Sequence, residues 1–422
     1  MNYLECTTYM ENMSKFGTKL GLDTIKTLLQ RLDDPQKGLK CVHVAGTNGK
    51  GSVCAYLTKI LTIAGYKVGT FNSPAVFSYN ERFLINGKPI SNEQVEKYIS
   101  LVAEERDLME KQGAEYLPTS FELETAAAFL MFKNEGCDIA IMETGMGGRL
   151  DATNVIDPED KLFSIITSIA FDHTEYLGNT LGEIAKEKFG IVTDTLITFE
   201  QNPEVMEVFN QAPKLILTKP AKMSIATLSG IAFTYRRHFY RLSMLGEHQI
   251  QNATLAIEGA KLLKKLGFDN INKDVVQEAL YKTNWPGRLE KFRVNDKIVI
   301  IDGAHNPSGA RTLHDAIKLH CPNTKISYVF GAFKDKDIDG VLNAMKDLIA
   351  TSTMYVAKAP TERGLDVDSL KTYCDKYSNN VITNASVNEA LLKAFKDDSK
   401  VVVVFGSLSI LKEALGTIKQ NG

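Results

Sequence analysis

The sequence predicts an α/β protein of two domains, a larger one built on a parallel sheet and a smaller Rossmann-like one after it. Three observations carry this. From Cys41 to about Ile191, short apolar runs without polar alternation take turns with helical periodicity. That is the pattern of strands covered by helices on both faces. A glycine-rich turn, A-G-T-N-G-K-G-S at Ala45–Ser52, joins the first such run to a helix. The alternation stops at Trp285–Asp296, where W-P-G-R-L-E-K-F-R-V-N-D combines breakers with charge, and then restarts.

The first strand is Cys41–Ala45. The helix it feeds, Ser52–Ala64, has apolar residues at Val53, Tyr56, Leu57, Ile60, Leu61 and Ala64, a helical spacing. Further strands are expected at Lys67–Phe71, Asp138–Met142 and Phe163–Ala170, and helices at Asn92–Lys111 and Ser120–Lys133. Thr119-x-x-Glu122 reads as a capping box for the last of these. Ala221–Met244 carries β-formers at Ile231–Tyr235 and His238–Leu242 and reads as an antiparallel patch. Helices follow at Gln249–Lys265 and Lys273–Lys282. Beyond the break, strands are expected at Ile298–Ile301, Lys325–Phe330, Thr353–Ala357 and Val401–Phe405. The helices between and after them are Ser308–Leu319, Ile338–Ile349, Val367–Tyr377, Val387–Phe395 and Ser409–Ile418. The expected partition is a first domain over 1–288, a linker over 289–296 and a second domain over 297–422.

Composition narrows the function classes. Hydrophobic residues at 44% and charged residues at 24% are ordinary for a soluble globular chain. A formal net charge of -2 gives no global argument for nucleic acid or an anionic membrane. The six cysteines are scattered without a C-x-x-C pair, which suits buried thiols in a reducing cytoplasm. Met1–Gly17 carries Glu5 and Glu11 and lacks an apolar stretch, so it does not read as a signal peptide. Apolar runs such as Val401–Phe405 are far too short to span a bilayer.

The chemistry gathers at strand ends, where open α/β sheets bind ligands. In the Ala45–Ser52 turn the glycines let backbone N–H groups close around phosphate oxygens, and the helix N-terminus adds partial positive charge. Lys50 supplies a full one, so a nucleoside triphosphate is the expected ligand. The spacing departs from G-x-x-x-x-G-K-[ST]: two residues separate Gly46 from Gly49, and Gly51 stands between Lys50 and Ser52. Three more polar clusters end strands: Asn72-Ser73-Pro74, Glu143–Arg149 (E-T-G-M-G-G-R) and Asp172–Glu175 (D-H-T-E). A hydroxyl, a carboxylate and an imidazole converging there suit Mg²⁺ on a triphosphate. Each taken alone has a plainer reading, as a turn, a loop acceptor or a semi-buried histidine.

A series of motifs in order makes a resemblance specific. G-T-N-G-K-G-S, S-P, N-E-R (Asn80–Arg82), E-T-G-M-G-G-R-L-D-A-T-N (Glu143–Asn154) and D-H-T-E-Y-L-G-N-T (Asp172–Thr180) are similar to the folylpolyglutamate synthase and dihydrofolate synthase branch of the Mur ligases. So are E-K-F-G-I (Glu187–Ile191), G-E-H-Q-I-Q-N-A (Gly246–Ala253), P-G-R-L-E (Pro286–Glu290), D-G-A-H-N-P-S-G (Asp302–Gly309), K-D-K-D (Lys334–Asp337) and G-S-L (Gly406–Leu408). The resemblance spans nearly the whole chain and implies a two-domain Mur-ligase-like fold with a P-loop ATPase domain.

The resemblance also implies roles. Thr47, Asn48, Gly49, Lys50, Gly51 and Ser52 hold ATP phosphates, with Asn252 at the adenine and Arg288 and Asp302 reaching ATP from the linker and second domain. Ser73, Glu143 and His173 ligate magnesium, and a carbamylated lysine, here Lys188, helps hold a second ion. A carbamate turns a cationic side chain into an oxygen ligand that hard Mg²⁺ prefers. Lys186, two residues away, does not share the helix face of Lys188. Phe189 stands where the family usually has alanine; without the resemblance, Lys188 would read as an exposed lysine. Lys50, Glu143, His173 and Lys188 form the expected catalytic set, and His305, Asn306 and Ser407 match the region that holds the incoming glutamate. Lys334–Asp337 reads equally as a solvated charge run. Phe77, Tyr79 and Phe83 fit either a loop over a pterin or packing on their own domain, and Thr119–Glu122 and Gly147–Asp151 are further wall candidates.

The implied reaction is amide ligation: a folate carboxylate takes the γ-phosphoryl of ATP, and the amine of L-glutamate attacks the acyl phosphate. The resemblance implies two Mg²⁺ ions and leaves a monovalent cation open. The expected partners are ATP, L-glutamate and a folate or dihydropteroate, with no nucleic acid and no membrane, for a monomer in the cytoplasm. Dihydrofolate synthase, alone or as a second activity, is the alternative within ligases, and a P-loop kinase or nucleotide switch is the alternative outside them. A dinucleotide oxidoreductase is disfavoured, because the loop lacks G-x-G-x-x-G.

Overall fold

The computed structural model describes residues 1–14 and 21–422. Tyr3–Ser14 forms a helix; residues 15–17 of the N-terminal stretch discussed above lie outside the described residues. The chain divides into two compact units. The first comprises residues 1–221, 235–238 and 251–283, and the second 222–234, 239–250 and 284–422.

The first unit is built on an eight-stranded sheet. Its strands are β1 (Cys41–Ala45), β2 (Val68–Phe71), β3 (Phe83–Ile85), β4 (Lys88–Pro89), β5 (Ile139–Glu143), β6 (Lys161–Ile166), β7 (Thr195–Thr198) and β8 (Lys214–Leu217), in the spatial order β4-β3-β2-β5-β1-β6-β7-β8. From β2 to β8 all neighbours are parallel, whereas β3 and β4 add an antiparallel edge. β1, β2 and β5 are buried along their whole length, as strands covered on both faces must be. Phe71, Phe83, Phe129, Phe132 and Met142 help fill the core on one face. The helices Lys50–Ile63, Asn92–Lys111 and Ser120–Asn134 lie close to where periodicity places them. Thr119 and Glu122 form the expected capping box.

The expected strand Phe163–Ala170 stops at Ile166. Residues 167–170 leave the ladder because their backbone serves the glycine-rich loop instead: the Ser168 carbonyl accepts from Thr47 N–H at 2.7 Å. β7, β8 and the helix Pro203–Phe209 extend the sheet beyond the elements read from sequence.

In the second unit a three-stranded antiparallel sheet forms where the β-rich patch predicts it. Its strands are β9 (Lys222–Thr227), β10 (Gly230–Tyr235) and β11 (His238–Leu242), with β10 in the middle. Part of β10 falls within the first unit. The larger sheet contains β12 (Glu290–Val294), β13 (Lys297–Ile301), β14 (Ile326–Phe330), β15 (Thr353–Ala357), β16 (Asn380–Asn384) and β17 (Val401–Phe405), in the order β12-β13-β17-β14-β15-β16. β12 is antiparallel to β13, and the other neighbours are parallel. Residues 289–296, where a linker is expected, contain the strand β12 and the turn that leads into β13. Charge at Glu290, Lys291 and Arg293 hides an edge strand, which keeps one row of backbone groups in water.

Candidate functional site

The first unit gathers its site around the carboxyl end of β1. Gly46 has φ +145° and Gly49 φ +91°, conformations that side chains resist. A Cβ on Gly46 would stand 1.7 Å from Thr167 Oγ1, and one on Gly49 2.4 Å from Asn252 Oδ1. The loop is thus pressed between residues 167–170 and the helix His248–Lys265. Thr47 Oγ1 donates to the Ala170 carbonyl and accepts from its N–H, both at 3.1 Å. Asn48 bridges to Ser168. Gly49 caps the helix Lys50–Ile63 in a left-handed conformation, which leaves the first-turn N–H groups aimed out of the helix end.

Two lysines converge on this loop. Lys50 Nζ donates to the Gly46 carbonyl at 3.2 Å and lies 4.0 Å from Glu143 Oε1. Lys188 Nζ donates to the same carbonyl at 2.9 Å. Lys188 is only 4% exposed, against the solvated lysine that its sequence alone suggests. Burial, then the Lys50 charge, hold its ammonium down to about 7, against the pull of Asp172 and Asp151. Phe189 points its ring elsewhere, stacking on Phe209 at 6.4 Å in a separate apolar cluster.

What fixes Lys188 is an interlock of two motifs. Its helix, Leu181–Phe189, starts at a Thr180–Glu183 capping box. Arg149 N–H donates to the Glu187 carbonyl at 2.7 Å, and the Arg149 guanidinium pairs with Glu187. Asn154 Nδ2 donates to the carbonyls of Arg149 and Gly190, and buried Lys161 donates to Asn154 Oδ1 and the Ile191 carbonyl. A Cβ on Gly148 would meet the Lys188 carbonyl at 2.8 Å, and one on Gly190 the Arg149 Cα at 2.6 Å. Asp151 accepts from the N–H groups of Gly145, Met146 and Thr153 and so shapes the glycine loop after β5. Sequence reading misses Thr167, Lys161 and the anchoring role of Asn154. Only the last lies in a motif; a buried threonine or lysine at a strand end carries no signal of its own.

Glu143 is buried at the end of β5. His173 lies on the loop after β6, 53% exposed in its side chain and in a left-handed conformation (φ 48°). Ser73 follows β2, and its peptide to Pro74 is cis. Among the described residues no three His, Cys, Asp or Glu side chains gather as a metal-holding group. The expected set contains two of that kind, Glu143 and His173, and draws its remaining oxygens from Ser73 and a modified Lys188. A magnesium fit is supported by the buried Glu143 side chain beside Lys50 and by the neighbouring Asn72, whose carboxamide has no protein partner.

Of the aromatics after Ser73, Phe83 is a core residue and Tyr79 packs on it at 6.0 Å, so these two serve their own domain. Phe121, in the capping-box turn, packs on Phe71 at 5.7 Å and closes on Gly145, where a Cβ would stand 2.6 Å from its ring.

In the second unit Asp302 directly follows β13 and accepts from the N–H groups of Leu289 and Ala304, both at 2.9 Å. Burial raises its pKa above the usual carboxylate value, and the Arg288 charge and the two N–H donors oppose that rise. His305 Nδ1 lies 2.7 Å from the Gly303 carbonyl and donates to it. Asn306 caps the helix Pro307–His320 and Ser407 caps Leu408–Asn421. These helices start at the carboxyl ends of the paired strands β13 and β17, and Gly406 N–H donates to the Ala304 carbonyl at 2.9 Å. Two helix N-termini side by side suit a carboxylate. In Lys334–Asp337, Asp335 pairs with Arg363 and Asp337 caps a helix, so half of that charge run is structural.

Comparison with known proteins places these features in a family. Residues 44–260 match the Mur ligase middle domain, and residues 287–408 match the Mur ligase glutamate ligase domain. The chain is 34% identical over 440 aligned positions to a dihydrofolate synthase/folylpolyglutamate synthase from Bacillus subtilis, covering 99% of each. The folylpolyglutamate synthase of Thermotoga maritima superposes with a TM-score of 0.87 at 31% identity, covering 100% of this chain and 97% of that one. The Mycobacterium tuberculosis enzyme of the same name, complexed with ADP and AMPPCP, does so with a TM-score of 0.85 at 29% identity, covering 99% of each.

Proposed function

The chain belongs to the folylpolyglutamate synthase and dihydrofolate synthase family of Mur ligases, and from that premise we infer that it joins L-glutamate to the γ-carboxylate of a folate at the expense of ATP. The observation that carries the inference to residues is the convergence of Lys50 and Lys188 on the Gly46 carbonyl beside buried Glu143.

In this reading the amides of Thr47–Ser52 and the Lys50 ammonium receive the ATP phosphates, and Asn252, packed against Gly49, lines the nucleoside side of the loop. Arg288 and Asp302 are assigned to ATP binding as well, on the resemblance of their motifs. Ser73, Glu143, His173 and carbamylated Lys188 would hold two magnesium ions, which would neutralise charge on the transferring phosphoryl group. Lys188 suits carbamylation because only a neutral amine attacks CO₂, and its low proton affinity keeps a large neutral fraction near pH 7. The folate carboxylate attacks the γ-phosphorus, forms an acyl phosphate and releases ADP. The glutamate amine then attacks the acyl carbon, and phosphate leaves. His305, Asn306 and Ser407 hold the incoming glutamate, its carboxylate at the two helix N-termini. Positioning and charge do this chemistry, and no protein nucleophile is required.

The Bacillus subtilis relative carries both activity names, which favours dihydropteroate as a second acceptor of the same site. We further place the enzyme as a monomer in the cytoplasm. Six unpaired cysteines support the compartment, and among the described residues no helix is long and apolar enough to cross a membrane.

The test is ADP release with Mg-ATP and L-glutamate, offering tetrahydrofolate or dihydropteroate. Turnover with tetrahydrofolate is expected, and turnover with both marks a bifunctional enzyme. Turnover indifferent to both pterins and to glutamate contradicts the reading.

A further inference from the structure

Asn72 stands one residue before Ser73 and has an unusual environment. It is 2% exposed, yet neither Oδ1 nor Nδ2 has a hydrogen-bond partner. Leaving both halves of a carboxamide buried and unpaired costs stability, so an ordinary core position would favour an apolar side chain here.

The sheet fixes which way Asn72 faces. Its N–H donates to the Arg82 carbonyl at 2.9 Å, continuing the β2–β3 ladder one step past Phe71. Phe71 and Met142 are paired across β2 and β5 and belong to the same core cluster. Alternation therefore turns Asn72 and Glu143 to the opposite face, level with each other and roughly 5 Å apart. Thr70, two residues before Asn72, confirms the direction: its hydroxyl bonds Thr58 on the helix Lys50–Ile63. That helix begins at Lys50, which lies 4.0 Å from Glu143. The carboxamide thus sits beside the carboxylate, the phosphate-loop helix and Ser73.

We propose that Asn72 is a positioning residue of the magnesium site, holding Glu143 and a metal-bound water in place when the metal–nucleotide complex binds. This rests on the ligase reading given above. Its donor and acceptor match the two needs of that shell, an N–H for a carboxylate oxygen and a carbonyl for a water proton. The buried amide is then a stability cost kept for binding.

The test titrates Mg²⁺ into the full chain at fixed AMPPCP, alongside AMPPCP binding in EDTA and melting of the nucleotide-free protein. For Asn72→Leu, half-saturating Mg²⁺ rises about tenfold or more. AMPPCP affinity in EDTA stays within about twofold, and the nucleotide-free Tm holds or rises by roughly 1–3 °C. Asn72→Thr restores one polar atom and keeps half-saturating Mg²⁺ within about threefold of wild type. An Asn72→Leu protein with the wild-type Mg²⁺ requirement overturns the inference and leaves the ligase reading standing. So does one that melts lower and loses AMPPCP equally with and without Mg²⁺. Wild-type protein whose AMPPCP binding ignores Mg²⁺ overturns both.

Discussion

Lys188 donates its side-chain nitrogen to the Gly46 carbonyl at 2.9 Å across 142 residues of sequence. The contact ties the helix Leu181–Phe189 to the phosphate loop and buries an amine that shares its acceptor with Lys50.

Replacing Lys188 separates its cost to folding from its use in catalysis. Its proton affinity in the fold, about 7, lies below the ordinary lysine value of about 10.4. Between these values the unfolded chain binds more protons, so this group's contribution to stability rises with pH from about 7 to 10. Lys188→Met removes that dependence: the variant melts higher than wild type at pH 7, and the gap narrows by pH 9. Its ligase rate falls by about 100-fold or more. A melting difference that does not change with pH contradicts the burial account.

Gly49→Ala drives a methyl group to 2.4 Å from Asn252 Oδ1. The side chain of Asn252 gives way, so the two positions are coupled. Gly49→Ala and Asn252→Ala each weaken ATP binding, and the double variant loses less than their sum, by about 0.5 kcal/mol or more. Isothermal titration of AMPPCP across the four proteins reads this directly, and additive losses contradict it.

The interlock of Asn154 with Gly190 and Arg149 predicts a remote effect. Asn154→Ala removes bonds to two carbonyls and leaves buried Lys161 without one acceptor. The protein loses about 2–3 kcal/mol of stability, and kcat falls more than the KM for ATP rises, because Lys188 is displaced while the phosphate loop is not. Urea melts and steady-state kinetics on one preparation check both parts.

How far this site is legible in the sequence depends on the kind of contact. Strands buried on both faces, such as Val401–Phe405, and capped amphipathic helices, such as Asn92–Lys111, declare themselves through local apolar pattern. Edge strands do not: Glu290–Val294 and Asn380–Asn384 are polar because one side stays in water. The glycine loop, Glu143 and Asp172–Glu175 are visible as polar clusters at strand ends. The burial of Lys188 is invisible locally, because it is imposed by Gly46 and Arg149, far away in sequence. Ile166 ends its strand early for the same reason.

His320 predicts an acid limit for the second unit. Nε2 accepts from Gly246 N–H at 2.9 Å, and Nδ1 donates to the Thr227 carbonyl at 2.8 Å, so the ring is held neutral. Burial, with Lys291 nearby, lowers its proton affinity below the usual histidine value. The unfolded chain then takes up a proton first, and the stabilisation present above about pH 6.5 is lost as pH falls. His320→Gln melts lower than wild type at pH 8, and the difference shrinks by pH 5. A difference constant across that range contradicts the assignment.

The central claim, ligation through an acyl phosphate at the Gly46–Lys50 loop, is tested most directly with a folate labelled with ¹⁸O in its γ-carboxylate. The enzyme turns over this substrate with Mg-ATP and L-glutamate, and the released phosphate is analysed by mass spectrometry. One ¹⁸O atom per phosphate is the predicted result, since the carboxylate oxygen that attacks phosphorus departs with it. Amide product accompanied by unlabelled phosphate would contradict the account.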